Sequence, residues 1–156
     1  MKVGLEKLES YEGVVVKALL DSGTTDLFMD TTFAREKGFK MEKMRNPLLV
    51  KNVDGTINVG GAIMHQVECN MFFKGYVERV RMDMCNLGKM EVILGMPWLV
   101  AHNPEIDWEK GEIKMTRCPP ICGKRKQEKK KKEVKKIEKD KNEETLRKLV
   151  PKRFWR

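Results

Sequence analysis

Short apolar runs punctuated by glycine turns fill the first three quarters of the chain, and their periodicity is that of strands. Glu12 to Leu20 is apolar and β-branched, bounded by Gly13 and an Asp-Ser-Gly turn, which predicts a strand. Asp26 to Asp30 predicts a second, shorter one. Thr31 or Thr32 is placed to cap a short helix running through Lys37, with Gly38 as its stop. The stretch "LLVKNVDGTINVGG" sets Asp54-Gly55 between two alternating arms, a strong local signal for a hairpin. Ala62 to Phe73 alternates again, Gly75 turns it, and Tyr76 to Met84 returns. "EVILGMPWL" reads as a strand ending at Gly95. A helical turn over Pro97 to His102 follows, with Pro97 near its first position. "EIDWEKGEIKM" predicts a last hairpin turning at Lys110-Gly111. Many strands with one or two short helices describe a mostly β, small closed β-fold.

Composition divides the chain. Residues 1–117 hold this pattern, a body large enough for a real core. From 118 to 156 the character changes, and "GKRKQEKKKKEVKKIEKDKNEE" has too few apolar residues to build one. Residues 124–156 carry 16 Lys or Arg and 6 Asp or Glu, leaving 16 and 17 for the rest, so the formal charge of +9 belongs to the tail. A near-neutral body argues against a nucleic-acid-binding face on it. The basic tail reads as a solvated linker, partly helical or disordered, with weak contact to nucleic acid as its one candidate interaction. It ends in "LVPKRFWR", which suggests a piece of a longer chain or an end that docks on a partner.

The four cysteines are Cys69, Cys85, Cys118 and Cys122. Cys118-Pro-Pro-Ile-Cys122 resembles half a zinc site, but no second ligand pair follows, and no metal or other cofactor is expected. Met1 to Tyr11 is charged throughout, with no apolar leader-like segment. No run reaches the length of a membrane span. The expectation is an intracellular, cytoplasmic chain with reduced thiols.

Asp21 carries the chemistry. It follows Val14-Val15-Val16 and Ala18-Leu19-Leu20 directly, where a carboxylate is costly unless something pairs with it. A strand feeds the Asp21-Ser22-Gly23-Thr24 turn, and a strand and short helix leave it. Val92-Ile93-Leu94-Gly95 repeats that design in miniature, so the body reads as a duplicated half-barrel with one glycine-tipped hairpin between the halves.

"ALLDSGTTDLF" and "VILGMPWL", in this order, resemble the retropepsin-type aspartic proteases, in particular those of Gypsy-type long-terminal-repeat retrotransposons. The resemblance covers about Tyr11 to Met115. It implies an acid-protease β-barrel and an aspartic endopeptidase that processes a retroelement polyprotein. Two carboxylates must share one proton in such chemistry, and one chain supplies one Asp21, so the resemblance implies a homodimer with Asp21 as catalytic residue in each copy. By the same match Ser22 braces the two turns across the dimer, Gly23 allows close backbone approach, and Thr24 orients the carboxylate. Val53, Asp54 and Gly55 form the tip of a flap over an extended peptide substrate, and Ile93, Leu94 and Gly95 pack beneath the catalytic turn. The tail resembles the linker between protease and reverse transcriptase in such polyproteins.

Two other readings compete. One is a non-catalytic dimerisation or peptide-binding module that keeps the fold, disfavoured by the intact Asp-Ser-Gly. The other places nucleic-acid binding in the tail, weakened by the acidic residues mixed into it. Individual residues also have plainer roles open to them. Asp26 and Asp30 can touch substrate backbone or sit as solvated loop carboxylates, Asp107-Trp108 reads as structure, and the 11 methionines read as core filler.

Overall fold

The computed structural model describes residues 1–52 and 54–119. The expectations for Val53, Cys122 and the tail from 120 onward lie outside them. Nine strands and two short helices follow in the order β1 (Lys2–Lys7), β2 (Gly13–Leu20), β3 (Leu27–Asp30), α1 (Thr31–Glu36), β4 (Met41–Lys51), β5 (Ile57–Phe73), β6 (Tyr76–Cys85), β7 (Val92–Leu94), α2 (Met96–His102), β8 (Glu105–Asp107) and β9 (Glu112–Lys114).

Strands β1, β2, β7, β3, β6 and β5 form a closed ring, because β1 pairs with β5 as well as with β2. The mostly β, closed-barrel expectation therefore holds. Strand β4 extends the sheet beyond β5 as an edge, and β8 and β9 form a separate two-stranded sheet. Edge position suits β4, since Pro47 lacks an N–H and its register against β5 shifts between Lys43 and Leu48.

Alternation places the core. Val3 and Leu5 of β1, Val16 and Ala18 of β2, and Val67, Cys69 and Met71 of β5 point inward, while Lys2, Val15 and Lys17 face out. Leu5, Met29, Met82, Leu94, Val67 and Val92 are sealed from solvent. Each such side chain stabilises the fold by about 1.5–3 kcal/mol relative to exposure. Met29, Met71, Met82, Met84 and Met115 are buried and serve the core, whereas Met64 and Met96 are exposed.

Two local expectations change. Strand β1 was not predicted, because Lys2, Glu6 and Lys7 obscure the alternation of Val3 and Leu5. It is a full stave of the barrel, in register with Val16 on one side and Met71 on the other. Helix α1 is capped not by Thr31 or Thr32 but by Asp30, whose Oδ1 accepts from the Phe33 N–H at 2.9 Å. Asp30 Oδ2 also accepts from the Leu87 N–H at 3.0 Å. Asp30 is 7% exposed, so it is neither a solvated loop carboxylate nor free to meet a substrate. Gly38, at φ +70°, ends the helical segment as expected.

Candidate active site

The Asp21 turn joins β2 to β3, and both strands pair with β7, β2 in parallel and β3 antiparallel. The turn therefore straddles the end of β7. Two backbone bonds stitch it there: the Asp21 N–H donates to the Leu94 carbonyl at 3.1 Å, and the Met96 N–H donates to the Thr24 carbonyl at 2.8 Å. Between these bonds sits Gly95, the N-cap of α2. A Cβ at Gly95 would collide with the backbone carbonyl oxygens of Thr24 and Asp26. Only glycine lets β7 pass this close under the turn. Asp21, Gly23, Thr24, Leu94 and Gly95 are thus brought together, while Ile93 lies one residue back on β7, in register with Leu19 and Phe28.

Within the turn the carboxylate is held at both oxygens. The Gly23 N–H donates to Oδ1 at 2.9 Å, and the Thr24 hydroxyl donates to Oδ2 at 2.6 Å. These two bonds, the Thr24 hydroxyl first, keep the Asp21 carboxyl below its ordinary pKa, because both donors favour the charged form. Ser22 and Gly23 are exposed, and Thr24 is half-buried. The face carrying the carboxylate is consequently partly accessible, with both carboxylate oxygens held by the turn.

Asp54 and Gly55 sit elsewhere, at the end of the β4–β5 hairpin. Asp54 Oδ1 accepts from the Thr56 N–H at 2.9 Å and from its hydroxyl at 2.6 Å, which lowers the Asp54 pKa. The Gly55 N–H donates to the Asn52 carbonyl, and Gly55 takes φ +83°. All these bonds stay inside the hairpin. Its arms expose Leu49, Ile57 and Val59, the last fully.

Two polar groups near the barrel wall escaped sequence reasoning. Asp83 of β6 is buried opposite Phe28 of β3. Burial first, then the negative charge of Asp26, pushes its pKa up. Its place between Met82 and Met84 in "RVRMDMC" was the available signal. The second is a cluster under α2. Glu78 Oε1 accepts from the Trp98 indole N–H at 2.7 Å, and Glu78 Oε2 lies 3.0 Å from His102 Nε2. His102 is 3% exposed and stacks against Trp98 with ring centroids 4.7 Å apart. Trp98 and His102 lie a helical turn apart, but nothing in the sequence pointed to Glu78.

No helix among the described residues is long and apolar enough to cross a membrane. The fold is similar to the crystal structure of the retroviral protease-like domain of Ddi1 from Leishmania major, at 19% identity and a TM-score of 0.46, over 75% of this chain and 86% of that one. Residues 17–122 match the PEG10/RTL1 protease domain. That span runs from the end of β2 through the Asp21 turn, the hairpin and the Gly95 junction, and it bears out the retropepsin-type resemblance of the two motifs. The chain belongs to the PEG10/RTL1 protease domain family, a retropepsin-like group.

Proposed function

We propose that this chain is an aspartic endopeptidase that acts as a homodimer on extended peptide, with Asp21 of each copy forming the catalytic pair. The observation that carries this reading is the Asp21 carboxylate, half-buried on a turn whose Gly23 N–H and Thr24 hydroxyl hold both its oxygens and whose backbone is stitched to Leu94 and Met96. In the dimer two such carboxylates meet on the two-fold axis. Like charges about 3 Å apart cannot both ionise, so the pair holds one proton and titrates as a unit. The ionised member takes a proton from a water, which attacks the scissile carbonyl carbon. The protonated member donates to the carbonyl oxygen. The Thr24 and Gly23 bonds favour the ionised form of the basic member.

Ser22, exposed beside the axis, braces one turn against the other. The Val53–Gly55 tip closes over the substrate and excludes water. Peptide adds as a strand, with alternate side chains in pockets on either side. The substrate class is polyprotein of retroelement origin, by family.

The test is concentration dependence. Peptide cleavage per mole of chain should rise with chain concentration through the range in which sedimentation shows monomer converting to dimer. Cleavage strictly proportional to concentration by a sedimenting monomer sinks the dimer. A dimer that cleaves nothing across a peptide library between about pH 4 and 7 points instead to a non-catalytic module.

A further inference from the structure

The Glu78–His102 pair does not end at the imidazole. His102 Nδ1 lies 3.1 Å from Cys118 Sγ. The order is therefore carboxylate, imidazole, thiol, with an indole N–H donating to the carboxylate from behind. This chain of contacts fixes the tautomer. A carboxylate only accepts, so His102 carries its proton on Nε2 and turns the Nδ1 lone pair to the sulfur. The thiol then has a base directly on its S–H, and proton transfer would leave an imidazolium whose other N–H already rests on a carboxylate.

Three bonds pin the backbone of the segment that carries the thiol. Lys74 Nζ donates to the Ile113 carbonyl at 2.7 Å, and the Tyr76 hydroxyl to the Met115 carbonyl at 3.1 Å. The Cys118 N–H donates to the Met115 carbonyl at 3.4 Å. Cys118 is half-buried while His102 is buried, so Cys118 is the more exposed member of the pair. The cavity beside Glu78 and His102, lined also by Met71, Phe73, Tyr76, Trp98 and Met115, holds only about 10 Å³ and does not include Cys118, so no peptide carbonyl reaches the imidazole through it.

We infer that Cys118 is an imidazole-activated thiol, a redox modification site whose co-reactant is a small hydroperoxide. The His102 base takes the S–H proton. The thiolate attacks the outer oxygen of the hydroperoxide; the S–O bond forms and the O–O bond breaks. The departing alkoxide or hydroxide collects the proton from the imidazolium. Sulfur is oxidised by two electrons to sulfenic acid, and the peroxide is reduced to alcohol or water. A low-molecular-weight thiol then condenses with the sulfenic acid, forming a mixed disulfide and releasing water. The other described cysteines form a contrast within the same molecule. Burial pushes the Cys69 thiol up to about 12 and the Cys85 thiol up to about 11, and neither has an imidazole partner.

The experiment treats the full chain with hydrogen peroxide and a sulfenic-acid trap, then locates the adduct by fragment mass spectrometry. Fragmentation is needed because Cys118 and Cys122 share one tryptic peptide. Cys118 should be trapped first, ahead of Cys69, Cys85 and Cys122. Glu78→Gln, with its fold checked by melting, should slow trapping about tenfold. A second measurement needs no variant: the pH profile of Cys118 alkylation by iodoacetamide in the native chain. Its midpoint should fall well below that of the same cysteine in the urea-unfolded chain. Equal native and unfolded profiles, or trapping at Cys122 before Cys118, overturns the inference.

Discussion

The Asp21 turn and the 52–56 hairpin tip are both short reversals, yet they are built on opposite principles. Bonds from Leu94 and Met96 cross the Asp21 turn, and Gly95 presses on it from below. The hairpin tip is closed by its own residues, Asn52, Asp54, Gly55 and Thr56, and among the described residues none but its chain neighbours lies within 4 Å of where a Gly55 side chain would begin. One reversal is positioned by distant sequence, the other by local sequence. On the proposed function, a catalytic carboxylate must be held to within a fraction of an ångström whereas a cover must move, and the two turns would meet these needs from different sources of order.

The largest expected effect is at the rigid turn. Asp21→Asn keeps shape but removes the titrating group from both copies, and peptide turnover should fall by about 100-fold or more, with the melting temperature retained. An active Asp21→Asn protein would end the aspartic protease reading. Gly95→Ala comes next. Its Cβ meets backbone, which cannot rotate away, so stability should drop by about 1–3 kcal/mol in urea melts, and cleavage should fall with it. Wild-type stability in Gly95→Ala would mean the junction is looser than the geometry shows.

Thr24→Val sharpens the comparison through pH. Asp21 has its pKa depressed chiefly by the Thr24 hydroxyl, so that bond adds stability above the unfolded carboxylate pKa and loses it as pH falls through the folded one. Without the hydroxyl the Asp21 pKa rises. The acid limb of the pH–activity profile should move to higher pH, and turnover should fall by up to about tenfold, the worth of one hydrogen bond. An unmoved acid limb would show that Thr24 does not tune the carboxylate. The smallest global effect belongs to the hairpin. Gly55→Ala strains a φ of +83° at a cost of about 1 kcal/mol, confined to the tip. Barrel melting should stay put while peptide KM rises. A lowered melting temperature would show the tip to be coupled to the barrel after all.

What was legible in the sequence follows the same division. The Asp54-Gly55 turn and the β5–β6 hairpin around Gly75 are encoded by neighbours and were found where the structure has them, and the α2 start expected at Pro97 lies one residue earlier, at Met96. The Asp21 turn was legible only as a motif, and its support from Leu94 and Gly95 only through the family's paired signature. Strand β1 was missed because its place depends on two partners, β2 and the remote β5. Asp30 was misread because a side chain that caps its own helix and bonds Leu87 looks, in sequence, like any loop carboxylate. Glu78 was invisible, since its indole and imidazole partners come from another element.

Closure of the barrel by β1 and β5 also sets the order in which the molecule can be made. Glu6 pairs with Asn70, and Ala18 pairs with Val92, so the ring and the seat of the Asp21 turn both wait for residues far along the chain. Loop-closure entropy is spent before those contacts return anything, which places folding in the slower, millisecond-to-second class of β-rich topologies. During synthesis the carboxylate emerges before its seat, which does not exist until β7 and Gly95 have left the ribosome. The time course of Trp98 burial in stopped-flow refolding should therefore track barrel closure, with no earlier phase in which the turn is ordered alone.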